Sequence, residues 1–381
     1  MTDLLTEVMT ERAEAFDPAR PDVQRILRDG DRRVARRRTA LAGGGVGILA
    51  AAAVGLSLLP EPAPHGRPSE VGSDFAAAFA AAEPTYAVGS VVHIDGRSFD
   101  VGRPLRAFVQ TQVGVVFSDD EGTVWAADGA EVTEVGRLGG RQRAYPHLVA
   151  DDTRAGWVEA TAGEAPVFAV LDQATGEVTR DALANVAGMG TLADQADPAV
   201  MYALDGTLAY VRDPRGAVRW DVASGEQTVL SPDADGFRIV DAEAGLVVSR
   251  VPESQQDGEP GEFLVGPDLE SGDRLVAWNA YYLSPDGRYL LAERESDKPE
   301  IFEVATGRVV PVRDGGDYAY FGGYAWLGDE RYAALGLSGT SESSSVDILT
   351  CTLGGDCTVD ARDVGSLEGG FTIPVGEYLG D

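Results

Sequence analysis

The feature that most constrains this chain is a turn that keeps returning. An apolar run, a turn of Asp, Ser or Thr with Gly, and a second β-prone run recur at 170–178 (VLDQATGEV), 220–226 (WDVASGE) and 302–309 (FEVATGRV), and more loosely at 267–273 (PDLESGD). Reversing a strand in so few residues needs a positive φ. Glycine supplies it without steric cost, while Asp, Ser and Thr bond the turn's own backbone. The Asp-Gly pairs at 95–96 and 128–129 and the Gly-Gly pair at 354–355 extend the series, giving turn glycines at 96, 129, 176, 225, 272, 307 and 354, a mean spacing of 43 residues. A lone hairpin is marginal in water, so such units must stack. A period of about 40–50 residues with four short strands stacks radially, as the blades of a propeller. The expectation is an all-β fold over 86–381, a β-propeller of about seven (six to seven) four-stranded blades.

Within one period the other strands also show. Residues 281–292 (YYLSPDGRYLLA) read as strand, Pro-Asp-Gly turn, strand. The run from Ser284 to Leu290, followed by Phe302 to Gly307, resembles the blade repeat of TolB-like and WD40-like propellers, and Trp220-Asp221 is similar to the Trp-Asp pair of such families. The resemblance implies the fold over about 86–381. It implies no particular activity, because propellers host many. The first copy, from Ser90 to Val101, has room for a single hairpin before Pro104. The run 370–375 (GFTIPV) is expected to close the ring beside it, which removes exposed sheet edges.

The other end of the chain is built differently. Residues 1–38 hold nine arginines against eight acids, 39–59 hold no charge, and the remainder carries the acidity, so the net −31 divides into +1, zero and −32. The segment 39–59 (TALAGGGVGILAAAAVGLSLL) would make a helix of roughly 31 Å, the thickness of a bilayer core. Arg32, Arg33, Arg36, Arg37 and Arg38 precede it and Pro60-Glu61-Pro62 follow, so the positive-inside rule puts 1–38 in the cytoplasm and 60–381 outside. A cleaved signal would end in a small-residue site that Leu58-Leu59-Pro60 does not offer. The expected organisation is a short helical cytoplasmic tail (1–38), a single transmembrane helix (39–59), a Pro/Ala-rich linker (60–85) with a short helix over Phe75 to Glu83, and the propeller (86–381).

Candidate chemistry is sparse. Cys351 and Cys357 flank a hairpin turn, where opposed positions come within disulfide range, and the expected compartment is oxidising; a disulfide is predicted. Three histidines, His65, His93 and His147, lie far apart, with no Gly-x-Ser-x-Gly elbow, so no catalytic group is assigned and no enzyme activity or cofactor is expected. The acidic runs 118–122, 233–236 and 314–317 lack the alternating ligand pattern of a calcium loop; they read as solvated turns, and a metal site stays open. Trp125, Trp157, Trp220, Trp278 and Trp326 lie in β runs and read as blade packing. Residues 252–262 and 338–345 are polar insertions between strands.

An outer domain of −32 disfavours nucleic acid and favours cationic partners. Thirty arginines to one lysine (Lys298) fit a GC-rich bacterial genome. The functional expectation is a membrane-anchored extracytoplasmic binding or scaffold module, whose propeller face takes a protein, peptide or envelope component. The alternative is transmembrane signalling, with 1–38 engaging a cytoplasmic regulator in an anti-sigma-like way although it has no His or Cys. An exported enzyme ranks third.

Overall fold

In the computed structural model the chain is described over residues 70–139, 147–159, 167–181, 199–213, 215–232, 238–251, 259–294, 298–313, 318–377 and 379. The cytoplasmic tail and membrane segment expected at 1–38 and 39–59 lie outside these residues. No helix among the described residues is long and apolar enough to cross a membrane.

Seven antiparallel four-stranded sheets form the domain, which is a seven-bladed β-propeller. The blade count therefore takes the upper of the two expected values. Lettering the strands a to d from the centre, blade 2 is β4 (Ala107–Gln110), β5 (Val115–Ser118), β6 (Thr123–Ala127) and β7 (Val132–Arg137). Blade 3 is β8 (Val149–Asp151), β9 (Arg154–Glu159), β10 (Val167–Asp172) and β11 (Glu177–Asp181); blade 4 is β12 (Val200–Asp205), β13 (Leu208–Asp213), β14 (Gly216–Asp221) and β15 (Gln227–Ser231). Blade 5 is β16 (Arg238–Glu243), β17 (Leu246–Arg250), β18 (Gly261–Gly266) and β19 (Asp273–Ala277); blade 6 is β20 (Asn279–Leu283), β21 (Tyr289–Arg294), β22 (Lys298–Glu303) and β23 (Arg308–Val310). Blade 7 is β24 (Tyr320–Trp326), β25 (Arg331–Leu337), β26 (Val346–Thr352) and β27 (Cys357–Ala361).

Blade 1 is assembled from both ends of the chain. β1 (Thr85–Val88), β2 (Val91–Ile94) and β3 (Arg97–Asp100) supply strands b to d, and β28 (Phe371–Thr372) supplies the innermost, pairing Val88 with Phe371 and Ala87 with Thr372. The expected closure by the C-terminal run is thus present. The first copy holds three strands instead of a single hairpin, because pairing begins at Thr85, ahead of the turn that marked it.

Every glycine of the sequence ladder occupies a c–d turn, one per blade, and all seven have positive φ, from 64° at Gly307 and Gly354 to 142° at Gly272. The Asp of the turn works as expected. Asp221 Oδ1 accepts the N–H groups of Ala223 and Ser224 at 3.0 and 3.3 Å; Asp268 in the next blade does the same with Glu270 and Ser271, and Asp172 in the preceding blade accepts the N–H of Ala174. These main-chain bonds favour the ionised side chain of Asp221 and hold its carboxyl below the usual range against the opposing effect of desolvation.

Apolar burial is divided among seven seams, one between each pair of neighbouring blades. Trp157 and Trp220, both essentially fully buried, fill the seams between blades 2 and 3 and between blades 3 and 4. Trp125 and Trp326 pack at the edges of two others. Trp278 departs from this: it is the single residue joining β19 to β20, and is partly exposed.

Helix α1 (Glu70–Ala80) starts before the expected Phe75 and stops at a Schellman-type end, with Ala82 at φ 50° and the N–H groups of Ala82 and Glu83 bonded to Phe79 O and Ala78 O. Its Phe75 and Phe79 are buried in the seam of blades 1 and 2, with Phe75 edge-on to Phe99 at 5.0 Å. Phe75 also covers Gly129, where an added Cβ would stand 2.7 Å from its ring.

Cys351 and Cys357 are directly opposed in the β26–β27 hairpin and form a disulfide. The bond closes a short loop in an already paired hairpin, so its entropic contribution is small for a disulfide, about 2 kcal/mol. Replacing both cysteines by serine is expected to lower the thermal midpoint by a few degrees and leave a cooperative transition. A collapse of the fold in that variant, read by circular dichroism, would contradict a merely local brace.

Candidate functional site

Antiparallel order within each blade divides the connections between two sides. The a–b and c–d turns leave on one side and are tight, from two residues (95–96, 152–153, 206–207, 244–245) to six (267–272). The b–c and d–a connections leave on the other and include 138–148, 182–199, 251–260, 311–319, 338–345 and 362–370. Long connections on a rigid scaffold are where binding residues concentrate. α1 reaches β1 from the tight-turn side. Glu83 O, just past the helix, accepts from Gln110 Nε2 at the end of β4, and Phe75 lies on the c–d turn of blade 2.

On the tight-turn side, carboxylates latch one blade to the next. Asp151 at the end of β8 accepts the N–H of Gly206 in the following blade, and Asp205 at the end of β12 accepts Gly245 N–H at 2.8 Å. Asp241 on β16 takes Leu283 N–H of blade 6 at 2.7 Å. Asp241 retains a little surface yet is enclosed by protein. Burial above all, then the neighbouring charges of Asp151 and Asp205, outweigh its two main-chain bonds and push its carboxyl up to about 7. Tyr282, the next aromatic along this wall, feels both Asp241 and Glu377, and burial with these charges raises its phenol far above the usual range. The C-terminal segment runs inside the ring: Val375 bridges to Val109, Gly376 N–H donates to Phe108 O, and Gly376 O accepts from the N–H groups of His147 and Leu148. One segment thereby joins blades 1, 2 and 3.

At the mouth on the long-connection side, blades 5, 6 and 7 bring a second group together. Arg250 ends β17, Asn279 and Tyr281 lie on β20, Glu293 lies near the end of β21, and Tyr320 opens β24. Arg250 Nη2 donates to Asn279 Oδ1 at 3.0 Å, and the guanidinium lies 5.4 Å from the centre of the Phe263 ring. Asn279 Nδ2 donates to Glu293 Oε2 at 3.3 Å, and the same oxygen accepts a short hydrogen bond from the Tyr281 hydroxyl. Burial, the bond to Glu293 and the charges of Glu293 and Tyr320 raise the Tyr281 phenol far above its usual range, so it serves as donor throughout the physiological range. Trp278, adjacent in the chain, donates its N–H to Glu293 O at 3.0 Å. All five side chains are partly exposed. An Arg–Asn–Glu–Tyr relay on a ring-lined mouth can orient and bind, with the Tyr281 hydroxyl held as a donor on the Glu293 carboxylate.

The residues singled out by sequence fall elsewhere. His93 stacks on Tyr86 at 4.6 Å in blade 1, with its imidazole pulled below the usual range by burial, and His147 precedes β8, likewise lowered by burial and then by Arg106. His65 lies outside the described residues, as do the acidic runs 233–236 and 314–317. The run 118–122 is a structural turn: Asp119 Oδ1 accepts from Glu121 and Thr123 N–H, and Oδ2 accepts Trp125 Nε1 at 2.8 Å. No group of three or more metal-ligating side chains occurs among the described residues. The mouth cluster had no sequence signal beyond an aromatic-rich stretch at 278–282, since its members come from three blades.

No protein-family model matches the chain, and no curated protein matches it either. Solved structures do. TolB from Acinetobacter baumannii aligns at 11% identity with a TM-score of 0.38, over 74% of this chain and 64% of that one, so the chain spans about two-thirds of its length. The β-propeller domain of the Trilobed protease from Pyrococcus furiosus aligns at 13% identity and TM-score 0.45, over 68% and 85% of the two chains. YCF48 bound to D1 peptide aligns at 11% identity and TM-score 0.41, over 68% and 82%. The fold assignment rests on the seven sheets themselves.

Proposed function

We propose that this chain is a non-enzymatic, membrane-anchored extracytoplasmic binding module that engages a protein or peptide through its long-connection side. The observation that carries the reading is the division of the two sides. The tight-turn side receives α1, which follows the linker and the apolar segment 39–59, while the connections 338–345 and 362–370 and the relay at the mouth lie opposite. A module tethered on one side presents the other to its partner. The Cys351–Cys357 disulfide supports an oxidising compartment.

A photo-crosslinking amino acid placed in living cells tests this at two exposed positions, Ser341 on the β25–β26 connection and Asp128 on the β6–β7 turn. Adducts to another protein are expected from Ser341 and not from Asp128. Cysteine introduced at Ser341 is expected to react with a membrane-impermeant maleimide in intact cells. Adducts from Asp128 alone, or labelling only after lysis, would overturn the reading.

A further inference from the structure

We infer that the mouth formed by blades 5, 6 and 7 is a subsite for a cationic side chain, lysine or arginine, of the partner's peptide segment, with Glu293 as its counter-ion and the Tyr281 and Tyr320 rings as its walls. The inference rests on the binding reading above and names the chemistry that the mouth recognises.

The carboxylate is the key. Both hydrogen bonds that the Glu293 carboxylate receives from described residues, from Tyr281 and from Asn279, fall on Oε2, while Oε1 accepts none and keeps solvent exposure. Oε1 is open to solvent, so a ligand reaches it by displacing water, and a charged donor binds it better than a neutral one. Arg250 is not that donor. Its Nη2 is engaged with Asn279 Oδ1, which turns Nδ2 of the same amide toward Glu293 and fixes the carboxylate's rotamer. The open oxygen is therefore preorganised, which lowers the entropy lost on binding.

Field and walls select the same ligand. A domain of −32 repels anionic polymers from its mouth and raises the local concentration of cations. Tyr281, stacked on Tyr282 at 6.3 Å, and Tyr320, which opens β24 beside it, bring aromatic rings of the kind that attract an ammonium or guanidinium to the same mouth. A neutral sugar gains from the rings and the hydroxyl-accepting oxygen but nothing from the field.

Full-length protein in nanodiscs, screened against a positional-scanning dodecapeptide library, tests the inference. Selection of Lys or Arg at one position is expected, with norleucine there weakening binding about tenfold, and with affinity falling as salt rises from about 50 to about 500 mM. Glu293→Gln keeps an acceptor for Tyr281 and Asn279 and is expected to abolish the preference without moving the thermal midpoint. The wild-type preference is read without any variant, so a misfolded variant leaves the test intact. Selection without a basic preference, or a basic preference unchanged in Glu293→Gln and Tyr281→Phe, overturns the subsite. So does binding of neutral glycans on an array through Glu293 in place of peptides. Peptides selected through other long-connection residues overturn this inference alone and leave the binding reading standing; no peptide selected, together with no adduct from Ser341, overturns both.

Discussion

Removing residues 371–381 is expected to abolish cooperative folding of the propeller. β28 is only two residues long, yet the segment that contains it does three things at once. It completes blade 1, lays Phe371 and Ile373 into the seam with blade 7, and continues along β4 to bond Phe108, His147 and Leu148. Phe371 and Ile373 are 2% and 4% exposed, so their burial alone stabilises the ring by about 3–6 kcal/mol. Domain stabilities of about 5–15 kcal/mol leave little after that loss and the opening of β1 as a bare edge. The single substitution Phe371→Ala is expected to cost about 3–5 kcal/mol, lowering the thermal midpoint by about 5–8 °C. Circular dichroism with tryptophan fluorescence measures both, since Trp157 and Trp220 report on seams away from the cut. A truncated chain that melts like the intact one would show that the ring does not depend on this closure.

The second large effect concerns Asp241. Its folded carboxyl titrates at about 7 against an ordinary value of 3.8, so the folded state holds a proton that the unfolded chain releases. Stability from this group is full below about pH 4 and is lost as pH rises through 7, a fall of at most about 4 kcal/mol and less to the extent that solvent screens the partly exposed charge. Asp241→Asn stays neutral, and its carbonyl can still accept Leu283 N–H. The variant is expected to lack this slope and to exceed the wild type in stability at pH 8, with the two converging near pH 4. Urea unfolding at pH 4, 5, 6, 7 and 8 gives the difference directly. Parallel profiles for the two proteins would mean that Asp241 is solvated and ionised throughout. The wild type keeps a stability cost at this position, and the adjoining acids, Asp151 and Asp205, hold the turns of neighbouring blades together.

Part of this was legible in the sequence, and the reason is locality. A c–d turn is specified by two to six adjacent residues, so the glycine series marks every blade, and the Asp bonds follow from the same few atoms. The innermost strands carried no comparable mark. β12 is buried along its whole length, which erases the alternation that identifies a half-exposed strand. Opposed cysteines across one turn were also readable, because register within a hairpin follows from the turn. Trp278 read as a packing residue and instead joins two blades at the mouth, since a one-residue d–a link looks like continuous strand. Arg250, Asn279, Glu293 and Tyr320 carried no signal as a group, being spread over 71 positions.

By itself, then, the sequence determined the repeat, the blade-by-blade turns, the all-β class and the placement of the acidity beyond residue 59, all from short-range backbone chemistry and counting. The tertiary structure decided the rest: seven blades over six, closure through the C-terminal segment, a raised carboxyl at Asp241 and the relay around Glu293. These depend on which blades become neighbours when the ring closes. A pKa, a seam or a ligand subsite is a property of groups that meet in space, and pairs such as Val88 and Phe371 meet only after nearly the whole chain has folded between them.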